Sequence, residues 1–183
     1  LDFTGLTVAL VELNGMAADV THRDGRLLVP LPDGLGDGQE VRVRVDYAGT
    51  PDDGLIIRNN VHGRRTVFAD NWPNRARFWF PAVDHPADKA TGSFAIDAPA
   101  GWQVIANGIR REGGGPAPSA LPAAGGSERG EGRWAVGPPI STYNMVVGAA
   151  EFDVRPVGTA CSAPARCVDV TTWLFPQDTV AAR

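Results

Sequence analysis

The sequence predicts an all-β fold, and three features of the chain lead to that prediction. Short apolar segments alternate with polar residues at the two-residue period of a β-strand. Gly and Pro, 22 and 15 of the 183 residues, fall between these segments and mark frequent turns. No segment of useful length has the period of an amphipathic helix. Short strands separated by turns are typical of a β-sandwich or a β-barrel.

The first strands are placed by two turn dipeptides. A strand at 7–13 ends at Asn14-Gly15, a dipeptide that tight hairpin turns prefer. Strands at 18–21 and 26–31 flank Asp24-Gly25, which is a turn signal of the same kind. We therefore expect hairpins at both dipeptides.

Residues 40–47 form the clearest strand. Three valines and Tyr47 point one way, and Arg42, Arg44 and Asp46 point the other, so this strand should lie in a sheet with one face in water. The same reasoning predicts strands at 54–58, 65–69, 92–98, 102–106, 133–136, 142–149, 152–155 and 168–175.

Residues 112–132 differ from the rest of the chain in composition. They are rich in Gly, Pro, Ala and Ser and have too few apolar side chains to order themselves in a core. Strands resume on both sides, so we expect a disordered hairpin tip within one domain and no domain boundary there.

The charge and the apolar content exclude several kinds of partner. The chain has 17 Lys and Arg residues against 21 Asp and Glu residues, a net charge of −4, and its basic residues are scattered. This distribution argues against binding to nucleic acid or to an anionic membrane surface. No apolar segment is long enough to span a bilayer.

The cysteines, Cys161 and Cys167, lie close together in a short segment. One interpretation is a disulfide that closes a small surface loop, which indicates a periplasmic or secreted protein. The alternative is a pair of reduced thiols in a cytosolic protein. Two cysteines without nearby histidines do not make a zinc site.

Other catalytic patterns are missing from the sequence. The histidines, His22, His62 and His85, are far apart, and the His-Glu-x-x-His pattern of a zinc protease helix is absent. There is no Gly-x-Ser-x-Gly nucleophile elbow. The hydroxyl groups of Ser141 and Thr142 are expected to make local hydrogen bonds to the backbone.

A corner bracketed by Pro81 and Pro86 is the most informative part of the chain. Each proline fixes its own φ and removes a backbone donor, so the aromatic segment before it enters a rigid turn. Asp84 and Asp88 in this corner face a cleft in one interpretation. In the other, Asp84 accepts backbone N–H groups of the turn, and a nearby Arg77 offsets its charge.

Three segments then identify a family. The sequence from Trp72 to Thr91 contains Ala-Arg, aromatic residues, Pro-Ala-Val-Asp-His-Pro and Lys-Ala-Thr in that order. Together with 98–108 and 139–152, it resembles the N-terminal domain of the aminopeptidase N family of zinc metallopeptidases. The likeness covers most of the chain, whereas the strands from 6 to 47 agree in pattern only.

The resemblance implies a saddle-shaped, mostly antiparallel β-sandwich over 1–175 that packs on a thermolysin-like catalytic domain. The zinc ligands and the general base belong to that second domain, and residues 176–183 would begin the linker to it. This domain would then be non-catalytic and would form one wall of the peptide cleft. The residues expected to dock the catalytic domain are Arg77, Pro81, Asp84, Pro86 and Lys89.

Substrate recognition departs from the family pattern at one position. The family's N-terminal domain contributes a Gln or Glu that binds the free amino group of the substrate, and that position falls on Trp72 here. Asp70 or Asn74 is an alternative ligand for the amine. The ring of Trp72 is another, because an aromatic face attracts an ammonium group by about 0.5–2 kcal/mol.

Both ends of the chain look like those of a fragment. We expect the family's first strands to be missing before Leu1, which would leave an edge strand able to pair with a neighbouring chain. Two other functions stay open: a non-catalytic scaffold that keeps the fold, and a carbohydrate-binding module. The latter needs Trp72, Trp79 and Trp102 to be coplanar and exposed.

Overall fold

The protein is described from a computed structural model, which covers residues 1–111, 130–164 and 166–179. Within these residues there are fourteen strands and three short 3₁₀ turns, and no α-helix forms. The all-β class predicted from the two-residue period is therefore confirmed. The strands are β1 (Thr7–Leu13), β2 (Met16–Ala17), β3 (Thr21–Arg23), β4 (Arg26–Leu28), β5 (Val43–Ala48), β6 (Leu55–Asn59), β7 (Arg65–Ala69), β8 (Lys89–Ala98), β9 (Gln103–Ala106), β10 (Ile109–Arg110), β11 (Gly130–Ser141), β12 (Val147–Ala150), β13 (Asp153–Ala163) and β14 (Arg166–Leu174).

The two predicted hairpins are confirmed. Asn14 and Gly15 have φ of 53° and 85° and connect β1 to β2, and Asp24 and Gly25 have φ of 52° and 70° and connect β3 to β4. Two successive residues in the left-handed region are what a two-residue hairpin turn requires. The strand expected at 18–21 is displaced, since Ala18 and Val20 pack against a core in the connection between β2 and β3.

The strands of the described residues form five sheets. Their orders are β2-β1-β5, β10-β11-β8, β6-β7-β12-β9, β13-β14 and β3-β4. The chain divides into two compact units, and a single domain over 1–175 stays a prediction. The predicted edge-strand pairing with a neighbouring chain also stays a prediction, although β5 lies at the edge of its sheet.

The first unit comprises Leu1–Ile56, Phe68–Gly92 and Val136–Val146. Its core contains Phe3 and Leu27, both fully buried, together with Leu6 and Val11. Complete burial of a side chain of this size contributes about 1.5–3 kcal/mol. Partly buried side chains from β1 and β5 surround this core: Val8, Val45 and Tyr47.

The second unit comprises Ile57–Val67, Ser93–Ala135 and Val147–Arg183. Its hydrophobic core is formed by side chains from β8, β9 and β12 and from the turn before β9: Ala98, Trp102, Val104 and Ala149. The alternation predicted for 92–98 places Ile96 against this core, as expected for a strand with one buried face.

Two segments differ from the predicted strands. The segment predicted at 142–149 begins with a 3₁₀ turn, Thr142–Asn144, and the strand starts only at Val147. The segment predicted to be a loop between the cysteines lies in a long hairpin of β13 and β14, where Cys161 and Cys167 are cross-strand partners. Pro156 lies inside β13, which a two-stranded ribbon tolerates because one edge of each strand is unpaired.

The disulfide interpretation of the cysteines agrees with the structure. Cys161 and Cys167 are bonded, and their Cα atoms are 4.0 Å apart. The hairpin tip predicted within 112–132 falls largely outside the described residues, which resume at 130. In the described ranges, no helix has the length and apolar character needed to cross a membrane.

Candidate functional site

The corner between Pro81 and Pro86 is held by backbone bonds to the start of the chain. The Asp2 N–H donates to the Ala82 carbonyl at 2.6 Å, and the Ala82 N–H donates to the Asp2 carbonyl at 3.1 Å. A third bond joins the Thr4 N–H to the carbonyl of Arg77 at 2.9 Å. The first residues of the chain thus supply the backbone partners of Ala82 and Arg77.

Asp84 is the buried acceptor at the centre of this corner. Its side chain is 1% exposed, and it accepts from Arg77 Nε at 3.1 Å and from the Arg77 backbone N–H at 3.3 Å. The other oxygen accepts from Thr142 Oγ1 at 2.8 Å. Asp88 is exposed in the same corner and Lys89 follows it, also exposed. The geometry favours Asp84 as a structural acceptor over a carboxylate that faces a cleft.

The hydroxyl groups at 141 and 142 do not make the local bonds that we expected. Ser141 Oγ donates to the carbonyl of Pro86 at 2.6 Å, and Thr142 Oγ1 donates to Asp84 Oδ1. Both partners lie more than fifty residues away in the sequence, at separations of 55 and 58. The prediction was wrong because the fold brings this segment against the corner, where Pro86 and Asp84 accept from the two hydroxyl groups.

Asn71 was not singled out from the sequence, yet it is among the most buried side chains, with 1% exposure. Its amide nitrogen donates to the carbonyls of Thr142 at 3.1 Å and Met145 at 2.6 Å. Its amide oxygen accepts from Trp79 Nε1 at 2.7 Å. These bonds close the 3₁₀ turn at Thr142–Asn144, which explains why the predicted strand does not start there. A single asparagine in a loop has no periodic pattern that would have revealed this role.

Trp72 follows Asn71 directly and differs from it in exposure. Its residue surface is 63% exposed, and a cis peptide bond connects it to Pro73. The indole ring lies edge-to-face against Tyr143, with ring centroids 5.3 Å apart and planes at 81°. This is a preferred geometry for two aromatic rings. The result is an exposed indole supported by a half-buried aromatic residue.

Of the other two predicted amine ligands, Asp70 has a charged partner within the protein, and Asn74 is bonded at its backbone carbonyl. Asp70 Oδ2 lies 2.5 Å from Arg75 Nη2, and Asp53 Oδ1 lies 3.2 Å from Arg75 Nη1. The hydrogen bond to Asp70 raises the pKa of Arg75. The backbone carbonyl of Asn74 accepts from Arg77 Nε at 3.1 Å. Because one guanidinium faces two carboxylates, Arg75, Asp53 and Asp70 together carry a net negative charge. Asp70 and Arg75 are close to Trp72 in the sequence.

The histidines have partners of their own and do not come together. In the described ranges, no group of three His, Cys, Asp or Glu side chains is arranged to hold a metal ion. The residues present therefore do not fit a zinc site. The histidine contacts are His22 Nε2 with the Phe3 carbonyl, His62 Nε2 with Asp178 Oδ1, and His85 Nδ1 with the Ala87 N–H.

The structure contradicts the aromatic platform required for a carbohydrate-binding module. Trp102 is only 9% exposed and belongs to the core of the second unit. Trp79 is partly buried, and its indole N–H is bonded to Asn71. Of the three tryptophans, Trp72 alone has a largely exposed residue surface.

Comparison with solved structures gives the same fold for several larger proteins. An M1 zinc metallopeptidase from Deinococcus radiodurans is 23% identical, with a TM-score of 0.73 over 93% of this chain and 38% of its own. A two-domain M1 zinc metallopeptidase bound to L-arginine is 20% identical, with a TM-score of 0.76 over 100% of this chain and 43% of its own. Leukotriene A4 hydrolase from Saccharomyces cerevisiae is 22% identical, with a TM-score of 0.71 over 97% of this chain and 25% of its own.

The chain thus spans less than half the length of each of these structures. At such identities, the likeness establishes the fold alone. The family is given by a separate comparison, in which residues 7–143 match the peptidase M1 N-terminal domain. That match contains the Pro-bracketed corner, Trp72 and Tyr143, and it covers well over half of the chain. The chain belongs to the peptidase M1 N-terminal domain family.

Proposed function

We propose that residues 1–175 are the non-catalytic N-terminal β-domain of a zinc aminopeptidase and that 176–183 begin the linker to its catalytic domain. The observation that carries the proposal is the family match over 7–143, in a fold that occurs within chains more than twice as long. The domain forms one wall of a peptide cleft and docks the catalytic domain of the same protein.

The zinc ligands lie outside this chain in the proposal, because the described residues do not fit a metal site. Zinc, when bound in the catalytic domain, supplies an activated water for hydrolysis of the N-terminal peptide bond. The part of this domain is to bind and orient the peptide substrate, which lowers the entropic cost of reaching the reactive geometry.

The proposed contact with the substrate is the ring of Trp72. An ammonium group over an indole face is stabilised by about 0.5–2 kcal/mol. Trp72 is exposed and backed by Tyr143, whereas Asp70 is already paired with Arg75. Asp70 therefore contributes less, Asn74 remains a second candidate ligand, and the net charge around Arg75 keeps the surface favourable to a cation.

The docking role is assigned to the corner as a rigid unit. Asp84 and Arg77 bond each other inside it, and Pro81 and Pro86 fix the backbone on both sides. Lys89 is exposed and supplies a charge for an ion pair with the catalytic domain.

We place the protein in an extracytoplasmic compartment, because the disulfide between Cys161 and Cys167 persists in an oxidising environment. Thiol alkylation of protein isolated from its source, followed by mass spectrometry, tests this placement. Alkylation of both cysteines without prior reduction would contradict it.

The function is tested with the full-length protein and a fluorogenic aminoacyl amide. We expect zinc-dependent hydrolysis, and we expect Trp72→Ala to raise KM by about 2- to 30-fold with little change in kcat, as for loss of a 0.5–2 kcal/mol contact. Trp72→Phe retains part of the effect because it keeps an aromatic face. Val61→Ala is the control, since Val61 is 92% exposed and lies outside the site. An unchanged KM in Trp72→Ala argues against the amine contact.

The second candidate is a non-catalytic scaffold that keeps this fold. Trp72 favours it, because it replaces the residue type that the family uses for the amine. A full-length protein that loads no zinc and hydrolyses no aminoacyl amide would favour the scaffold over the peptidase.

A further inference from the structure

We propose that Asn71 is a positioning residue that fixes Trp72 and Tyr143 relative to each other, so that the Trp72 ring, supported by Tyr143, is preorganised to contact the substrate's ammonium group. This inference rests on the function proposed above. Asn71 is buried and does not touch the substrate itself.

The side chain of Asn71 has no spare hydrogen-bonding role, because both ends of its amide are engaged. Its nitrogen donates twice, to the carbonyls of Thr142 and Met145, and its oxygen accepts from Trp79 Nε1. A buried polar side chain that is satisfied at both ends has one favoured orientation, because any rotation leaves a buried donor or acceptor unpaired.

The two carbonyls that Asn71 binds flank Tyr143 closely in the chain. Thr142 precedes the tyrosine, and Met145 follows it by two residues. The Met145 N–H also donates to the carbonyl of Thr142 at 3.0 Å, so the turn that carries the tyrosine is closed on itself and held by Asn71. The side chain of Asn71 thereby fixes the backbone on both sides of the Tyr143 ring.

The backbone of Asn71 fixes the other ring. Its carbonyl accepts from the Arg75 N–H at 2.8 Å, which closes the turn that contains Trp72, Pro73 and Asn74. Arg75 Nε donates to the carbonyl of Trp72 at 2.7 Å within the same turn. One residue therefore anchors both the turn that carries the indole and the turn that carries its aromatic support.

The consequence is a fixed geometry for an exposed ring. An exposed tryptophan on an unanchored loop would lose side-chain and backbone freedom on binding, which lowers affinity. Trp72 avoids much of that cost. Asn71 bonds the backbone of the turn that contains Trp72 and the backbone of the turn that carries Tyr143, on which the indole packs. The role assigned to Asn71 is thus visible in KM and acts only through Trp72.

A double-mutant cycle in the full-length protein tests this role with the same aminoacyl amide. We expect Asn71→Ala to raise KM at least threefold with kcat within twofold, and to change KM less than twofold when Trp72→Ala is already present. A purely structural asparagine would affect both backgrounds equally. Thr66→Val is the matched control, since Thr66 is 4% exposed and its hydroxyl donates to the Arg58 carbonyl at 3.0 Å, outside the site.

If Asn71→Ala does not fold, Trp79→Phe provides the same test, because it removes the donor to the Asn71 amide oxygen and keeps an aromatic ring at this position. Equal KM increases from either substitution with and without Trp72 would overturn the positioning role and leave the Trp72 contact intact. If Trp72→Ala itself leaves KM unchanged, the Trp72 contact fails and the positioning role falls with it.

Discussion

At the residue scale, the corner is organised by buried polar side chains whose bonding capacity is used. Asp84 binds Arg77 and Thr142, and Asn71 binds the turn that carries Tyr143. Removing one member of such a network leaves its partners buried and unpaired, which costs more than the bond itself contributes. The stability of the corner should therefore respond strongly to substitution at these positions.

Asp84→Ala is expected to lower the free energy of unfolding by about 3 kcal/mol, because it removes the buried carboxylate that pairs with Arg77 and leaves the buried hydroxyl of Thr142 without its acceptor. Asp88→Ala, an exposed carboxylate in the same corner, should change it by less than about 0.5 kcal/mol. Urea denaturation of both variants gives the comparison. Equal losses would mean that the burial of Asp84 is not what stabilises the corner.

Tyr47 links the first core to the corner through one hydrogen bond. Its hydroxyl donates to the carbonyl of Trp79 at 2.9 Å, and its ring packs edge-to-face on Phe3. Burial raises the pKa of Tyr47 above its ordinary value. The folded state therefore retains this proton at a pH where the unfolded chain begins to lose it. The contribution to stability is complete below the ordinary pKa and declines as the pH rises through the folded pKa.

Tyr47→Phe is expected to cost about 0.5–1.5 kcal/mol near neutral pH through the lost hydrogen bond. The difference in unfolding free energy between the variant and the wild type should become smaller above about pH 10. Only the wild type loses stability there, because its residue 47 ionises more readily in the unfolded chain than in the folded protein. Denaturation at pH 8 and pH 10.5 measures it. Tyr143 is present in both proteins, so it does not contribute to the difference between them. A difference that stays constant with pH would show that the burial of Tyr47 does not couple folding to ionisation.

At the element scale, the connection before β6 closely approaches the turn that contains Trp72 and Arg75. Gly54 has φ of +73°, and a Cβ atom there would lie only 2.0 Å from the carbonyl oxygen of Arg75. The Asp70 N–H donates to the carbonyl of Gly54 at 2.7 Å. This position requires glycine for two reasons: its backbone is left-handed, and the carbonyl of Arg75 occupies the space that a side chain would need.

Gly54→Ala is expected to cost about 1–3 kcal/mol more than Gly63→Ala, because it adds overpacking to backbone strain. Gly63 is a matched control, since its φ is +76° and nothing lies within 4 Å of a Cβ there. Chemical denaturation of both variants separates the two effects. Similar losses would indicate that backbone strain alone accounts for the requirement at Gly54.

The strands show which elements the sequence can place. The hairpins at Asn14-Gly15 and Asp24-Gly25 were predicted correctly because a left-handed turn is a local property of those residues. The strand expected at 142–149 and the loop expected between the cysteines were not. At the first segment the backbone is decided by Asn71, which is distant in the sequence. At the second, the cysteines lie in β13 and β14, which pair as the two strands of one hairpin.

At the scale of the whole molecule, the described chain holds neither a metal site nor the ligand pattern of a zinc peptidase. We expect residues 1–183, purified alone, to bind no catalytic zinc and to cleave no aminoacyl amide, whereas the full-length protein does both. Metal analysis and a fluorogenic assay measure the two properties. If the purified fragment still hydrolyses the substrate after chromatography, the proposal that this domain is non-catalytic is contradicted.

The sequence by itself determined the all-β class, the two tight hairpins, the family and the corner pinned by Pro81 and Pro86, because periodicity, turn chemistry and proline geometry act over a few residues. Only the tertiary structure decided what the polar residues do. Asp84 became a buried acceptor and Asn71 an anchor because partners 58 and 71 residues away meet them in space. Long-range contacts of this kind leave no period in a single sequence, since they depend on how the strands pack.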